Sequence, residues 1–274
     1  MTSQNPLLGK VKLPGRVFAL PSMGVFYEPG VLAASAKDGE IHVSPMSALM
    51  EMKIRSADLL YSGKIIKDIC AECAPEILDP SKLISKDVDA LFVFLRVATY
   101  GPTMSLSSQH NCADAKTHQY EVSIEELIGK PNNSVLRHKE TLYQVTLSND
   151  QVVNLRPNTY GDSLRILHMK LELDRAEAGG KKPSDEELEK IALDDLVNVI
   201  ESVQNEPEGP KVGDKAQVIE WLRAVSKKLL TELMMGINRT DEWGFDYALK
   251  LKCRDCSSEY DHALDLNPIS FFYG

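Results

Sequence analysis

Apolar positions recur along this chain with two periods, and the changes of period divide it into elements. Arg16 to Leu20 reads as a short strand, Pro21-Ser22-Met23-Gly24 as a turn, and Ile41-His42-Val43, after the turn residues Lys37-Asp38-Gly39-Glu40, as the returning strand of a small sheet. After Ser44-Pro45 the spacing becomes helical: Met46, Leu49, Met50 and Ile54 share one face, and Ile65, Ile66, Ile69 and Cys73 share the next. Asp87 to Tyr100 is apolar almost all round, which in a water-exposed chain marks the central helix of a domain. Alternation returns at Thr103 to Gln109 and Gln119 to Val122, a second hairpin, and again at Leu142 to Leu147 and Val152 to Leu155 around the turn Ser148-Asn149-Asp150-Gln151. Ser123-Ile124-Glu125-Glu126 has the form of a capping box opening a one-turn helix.

From Tyr160 to Gly236 the pattern is helical. Leu164, Leu167 and Leu171 stripe one helix; Ser184-Asp185-Glu186-Glu187 is a capping box for a second, with Leu188, Ile191, Leu196 and Val199 inside; Asp214 caps a third, expected to run unbroken to Met235. Short polar loops between them predict an antiparallel helical bundle. The last alternating pair of strands, leading into and out of Cys253-Arg254-Asp255-Cys256, forms a final hairpin. The expected fold class is therefore α+β: a small N-terminal β segment with core helices, two cysteine-knuckle hairpins resembling a zinc ribbon, and an inserted helical bundle. The expected division is an extended arm over 1–15, an α+β domain from 16–158 and 237–274, and a helical insertion over 159–236.

The 274 residues suffice for a substantial core in one large domain or two smaller ones. A formal charge of -9 repels a phosphate backbone at long range, so the predicted partners are proteins and not nucleic acid. The N-terminal stretch has no apolar signal-like region and no segment has the apolar length of a membrane span, which predicts synthesis in the cytoplasm and no membrane partner. Five cysteines, sparse and odd in number, predict a reducing compartment and no disulfide framework.

The chemistry that stands out lies on two knuckles. Cys253 and Cys256 on one tight turn supply two ligands of a tetrahedral metal, and aligning Cys112 with Cys256 places Gln109 on Cys253. The first knuckle thus reads as a Cys-x-x-Cys turn without its first thiol, beside His110. The candidate ligand set is Cys112, Cys253, Cys256 and His110, with His118 as the alternative fourth ligand and His262 a further one that would let the last hairpin bind partly alone. Such a site would hold a structural zinc; the competing reading is a ribbon that has lost its metal, its cysteines merely packed. Cys70-Ala71-Glu72-Cys73 lies inside a helical stripe, where the thiols are expected to be buried and unreactive, since a redox pair needs a helix N-terminus. No nucleophile elbow or phosphate-binding glycine loop occurs, so no enzyme is expected. The apolar tail Pro268 to Tyr273 is either tucked against the fold or buried in a partner.

The order FALPSMGVFY, DGEIHVSPMSALMEMKI and Leu60-Tyr61-Ser62-Gly63, followed by LISKDVD, Leu95-Arg96, Tyr100-Gly101, a terminal Cys-x-x-Cys hairpin and a Phe-Phe tail, resembles the T4-type baseplate protein family of contractile-tailed bacteriophages. The resemblance covers most of 16–128 and 244–273. It implies a structural protein of the baseplate hub, or a factor that assembles it, located in the virion tail after assembly in the host cytoplasm. Its implied partners are other baseplate and tail proteins; the N-terminal arm, the helical insertion and the C-terminal tail are the surfaces expected to bind them. It also implies a full Cys-x-x-Cys in the first hairpin, from which Gln109 departs. Two further readings are a tail-assembly chaperone absent from the mature virion and a zinc-ribbon module acting in regulation or on nucleic acid.

Overall fold

The structure, a computed structural model, describes residues 14–56, 59, 62–112, 116–129, 131–266 and 271–272. Residues 1–13 of the expected arm, with Leu60 and Tyr61 of the family motif, lie outside them. The chain is mixed α and β, with small antiparallel sheets, and forms two compact units: one from 1–80, 86–131 and 245–274, the other from 81–85 and 132–244.

The first unit is built on a helix that buries nearly its whole circumference. β1 (Arg16–Ala19) pairs antiparallel with β2 (Glu40–Val43), and α1 (Ala48–Ile54) starts where the Ser47 side chain accepts the Met50 N–H. α2 (Lys64–Cys73) buries Ile65, Ile66, Ile69, Cys70 and Cys73. α3 (Ser85–Tyr100) buries an unbroken run from Ala90 to Val97, as expected of a helix with no polar face. Aromatic rings gather along it: Phe18 stacks on Phe94 at 4.6 Å between centroids, Phe245 meets Phe94 edge-on at 6.1 Å, and Phe272 meets Phe92 at 6.2 Å. Phe271 and Phe272 are 2% and 4% exposed, so of the two expectations for the tail, tucking against the fold holds for these two phenylalanines. The cost of hydrating two adjacent rings is met within the chain. The remainder of that tail, 268–270 and Tyr273, lies outside the described residues.

One carboxylate sits inside this apolar surrounding. Asp87 is fully buried and accepts the Ser22 N–H at 3.0 Å and the hydroxyls of Ser22 and Tyr27, each at 2.5 Å. Burial pushes its carboxyl up to about 6, outweighing the three donors that favour the charged form. Asp89 is raised to about 6 for the same reason. The thiols of Cys70 and Cys73 are pushed up to about 12 by burial, so they stay protonated and inert near neutrality.

β3 (Thr103–Gln109) and β4 (Thr117–Ser123) make one two-stranded sheet, and β8 (Ala248–Lys252) and β9 (Glu259–Ala263) another. The expected capping box at Ser123 does not form: Ile124 takes the cap position of the short turn Glu125–Ile128, with no side-chain bond. Ile124 is itself fully buried, and Glu125 pairs with Arg16 instead.

The second unit departs most from the helical pattern. β5 (Gln144–Thr146), β6 (Val152–Leu155) and β7 (Ile200–Gln204) form an antiparallel sheet in that order, flanked in sequence by α4 (Tyr160–Ala178), α5 (Asp185–Val199), α6 (Lys215–Ala224) and α7 (Lys227–Arg239). β7 falls within the stretch expected to be wholly helical. Its polar residues are drawn inward by a ladder in which Asn154 donates to Ser202 Oγ and Gln204 Oε1, both at 3.0 Å, and Gln144 donates to Asn154 at 3.2 Å. The helix expected to run from Asp214 to Met235 breaks at Val225, whose backbone is extended, and Ser226 caps a new helix by accepting the Leu229 N–H. Arg165, near the start of α4, reaches Asp194 of α5 at 3.5 Å, and Arg223 at the end of α6 donates to Glu189 of α5 at 2.8 Å.

Gly236 brings α7 onto β5. A Cβ there would lie 2.2 Å from Val145 Cγ2. Gly236→Ala is therefore expected to lower stability by about 1–2 kcal/mol despite the better helix propensity of alanine, and Val145→Ala in the same chain to recover part of that loss, read by denaturant unfolding. A second expectation concerns pH. The folded chain keeps on Asp87 a proton that an unfolded aspartate, at 3.8, has released. This carboxyl's contribution is thus fully present below about pH 4 and is lost as pH rises through about 6, amounting to at most about 3 kcal/mol. The melting temperature should rise between pH 7 and pH 5, and Asp87→Asn should flatten that rise, leaving the part due to Asp89; an unchanged profile in the variant contradicts it.

Candidate metal centre

The two hairpins that carry the knuckles belong to the same unit and pack on each other. Alternation along β3 turns Met104, Leu106 and Ser108 inward and Thr103, Ser105, Ser107 and Gln109 outward. Leu106 meets Leu249 and Leu251 of β8, and Tyr120, Val122, Leu127, Tyr260 and Leu264 close around this cluster. Polar bonds join the same faces: the Tyr260 hydroxyl donates to Ser108 Oγ at 3.0 Å, and Ser108 Oγ lies 2.9 Å from His262 Nδ1. The Arg254 guanidinium lies over the Tyr120 ring at 5.2 Å.

At the end of this packed pair, four side chains converge. The ligand atoms of His110, Cys112, Cys253 and Cys256 all lie within 4.8 Å of one another. The thiol sulfurs of Cys112 and Cys253 are 4.0 Å apart, and Cys256 Sγ is 3.3 Å from His110 Nδ1. Local backbone bonds shape both turns. Cys253 N–H donates to Ser258 O at 2.9 Å and Ser257 N–H to Cys253 O at 3.0 Å, with Ser257 at a φ of 61°, so the chain doubles back within the knuckle. Cys112 N–H donates to His110 O at 3.0 Å, which puts both side chains on one tight turn. The imidazole of His110 stacks on Tyr260 at 4.7 Å and 22°. Cys253 is buried, His110 and Cys112 are half-buried, and Cys256 is exposed. Hydrogen bonds from the Ser258 hydroxyl and N–H, ahead of those from Cys253 and His110, hold the Cys256 thiol down to about 6, which favours the thiolate a metal requires.

The remaining candidates are engaged elsewhere. His118 Nε2 lies 2.8 Å from Asp255 Oδ2, which also accepts the Lys116 N–H at 3.3 Å. The His118 bond, first, holds the Asp255 carboxyl below the usual range. His262 is bound to Ser108, and Gln109 faces outward. Asp255 does not stand out in the sequence, although its place between the two candidate cysteines is a usable signal. Residues 113–115 of the first knuckle lie outside the described residues.

Three thiols and one imidazole in this volume can hold a metal ion with all four positions supplied by protein. Among the described residues no other group of three or more potential ligands gathers in this way, and no helix is long and apolar enough to cross a membrane. No curated protein and no solved structure matches the chain. The family model described as T4 bacteriophage base plate protein matches residues 43–273, most of the chain and parts of both compact units. The chain therefore belongs to the T4 bacteriophage base plate protein family, and its role is a structural one in the phage baseplate.

Proposed function

We propose that the protein is a subunit of the hub or wedge region of a contractile-tail baseplate, binding other tail proteins and catalysing no reaction. The observation that carries this reading is the family match over 43–273. The chemistry of the site agrees with it: four protein ligands leave no position for a substrate or a water nucleophile, so a bound ion, which we take to be zinc, acts as a clasp. Leu49 and Met52, 61% and 63% exposed and three residues apart on α1, offer the first unit one small apolar contact surface. In the second unit Leu188 and Met235 are similarly exposed. With Phe271 and Phe272 buried at home, these surfaces, together with the N-terminal arm, are the proposed contacts. Assembly takes place in the host cytoplasm, and the finished subunit resides in the tail.

Quantitative mass spectrometry of purified particles tests the assignment. The chain should be present in fixed stoichiometry with other baseplate proteins. Complete, infectious particles without it would overturn the subunit reading and identify it as an assembly factor that departs before the virion is finished.

A further inference from the structure

We propose that His110 Nδ1, Cys112, Cys253 and Cys256 bind one zinc ion in a closed tetrahedral site, with His110 replacing the thiol missing at position 109. Zinc bonds of about 2.3 Å to sulfur and about 2.0–2.1 Å to nitrogen, at tetrahedral angles, place neighbouring sulfurs about 3.8 Å apart and sulfur and nitrogen about 3.6 Å apart. The observed separations, 4.0 Å for Cys112 and Cys253 and 3.3 Å for Cys256 and His110, bracket those values. Cys112 and Cys253 need to close by only about 0.2 Å to share an ion, whereas a disulfide would require them to approach by about 2 Å. Three thiolates with one imidazole are a ligand set zinc prefers.

The position of the imidazole explains how a knuckle can lose a cysteine and keep its site. Residue 109 is the last of β3 and points outward, so a ligand there would have to turn back over the strand. Residue 110 lies just beyond the strand, where the chain turns, and delivers Nδ1 to the sulfurs. Tyr260 holds the ring plane by stacking and is itself tied by its hydroxyl to Ser108. Stacking restrains the ring plane, a different support from the hydrogen bond on the second ring nitrogen that orients most zinc-binding histidines. His118 lies outside the group of converging ligand atoms and binds Asp255 through Nε2. The site joins residues 110 and 112 to 253 and 256, and so closes a loop of more than half the chain. The inference is independent of the baseplate assignment, because it concerns the isolated chain.

The full chain, purified without a histidine tag or chelator, should carry about one equivalent of zinc by elemental analysis. Replacement by cobalt should give the intense ligand-field absorption of a tetrahedral thiolate site. His110→Asn, Cys112→Ser and Cys253→Ser should each weaken zinc binding by more than the roughly 10–100-fold that outer-shell changes cost, while His118→Asn stays near wild type or loses no more than that range. Circular dichroism of His110→Asn, a change at a half-buried position, should match that of the wild type and so separate loss of metal from loss of fold. Less than about half an equivalent in the wild type, zinc retained undiminished in His110→Asn, or loss in His118→Asn as large as in His110→Asn would each overturn the proposal. So would a Cys112–Cys253 disulfide in protein prepared under reducing conditions.

Discussion

The thiols of Cys112 and Cys253 lie 4.0 Å apart although 141 residues separate them in sequence, and the first unit depends on that meeting. Bringing such distant positions together costs about 4 kcal/mol of chain entropy, before any constant term. Leu106, Leu249 and Leu251 offset it on the packed faces, each leucine contributing about 1.5–3 kcal/mol when fully buried. The hairpins are thus held by apolar packing and by the Tyr260, Ser108 and His262 bonds before any ion is considered. A metal at their end would fix the register of an existing contact. This differs from a small zinc finger, whose core is too small to fold without its ion.

The second strong constraint on the same unit is α3. A helix buried on all sides needs partners on all sides, and the chain supplies them from both ends: Phe18 from β1, Phe245 ahead of β8 and Phe272 at the C-terminus. The tail and the terminal hairpin are therefore parts of one core. Asp87 is the exception inside it, tolerated because Ser22 and Tyr27 satisfy its oxygens and because its charge can be given up near pH 6.

Much of this was legible in the sequence. The run from Asp87 to Tyr100 could only be an interior helix, and the alternation around the two knuckles marked strands and their inward faces. The ligand group was legible as a set of cysteines and nearby histidines. The choice between His110 and His118 was not, because it turns on which imidazole the folded turns bring among the three sulfurs. β7 was hidden for a related reason: its inward side chains include Ser202 and Gln204, which bond to Asn154 on a strand nearly fifty residues earlier, so the apolar alternation of a buried strand is absent. The break at Val225 was hidden because the apolar stripe continues through it, and only the Ser226 cap marks the restart. In each case the deciding interaction was non-local or was a side-chain bond to the backbone, and periodicity does not record either.

Both knuckles supply ligand atoms to the proposed centre within one folded chain. X-ray absorption at the zinc edge on the purified protein tests it most directly, since it counts the ligands by type. The expected first shell is three sulfurs at about 2.3 Å and one imidazole nitrogen at about 2.0–2.1 Å, with the outer scattering of a single histidine ring. A shell of oxygen and nitrogen alone, or one with only the two sulfurs of Cys253 and Cys256, would show that Cys112 does not join the terminal hairpin and would contradict it.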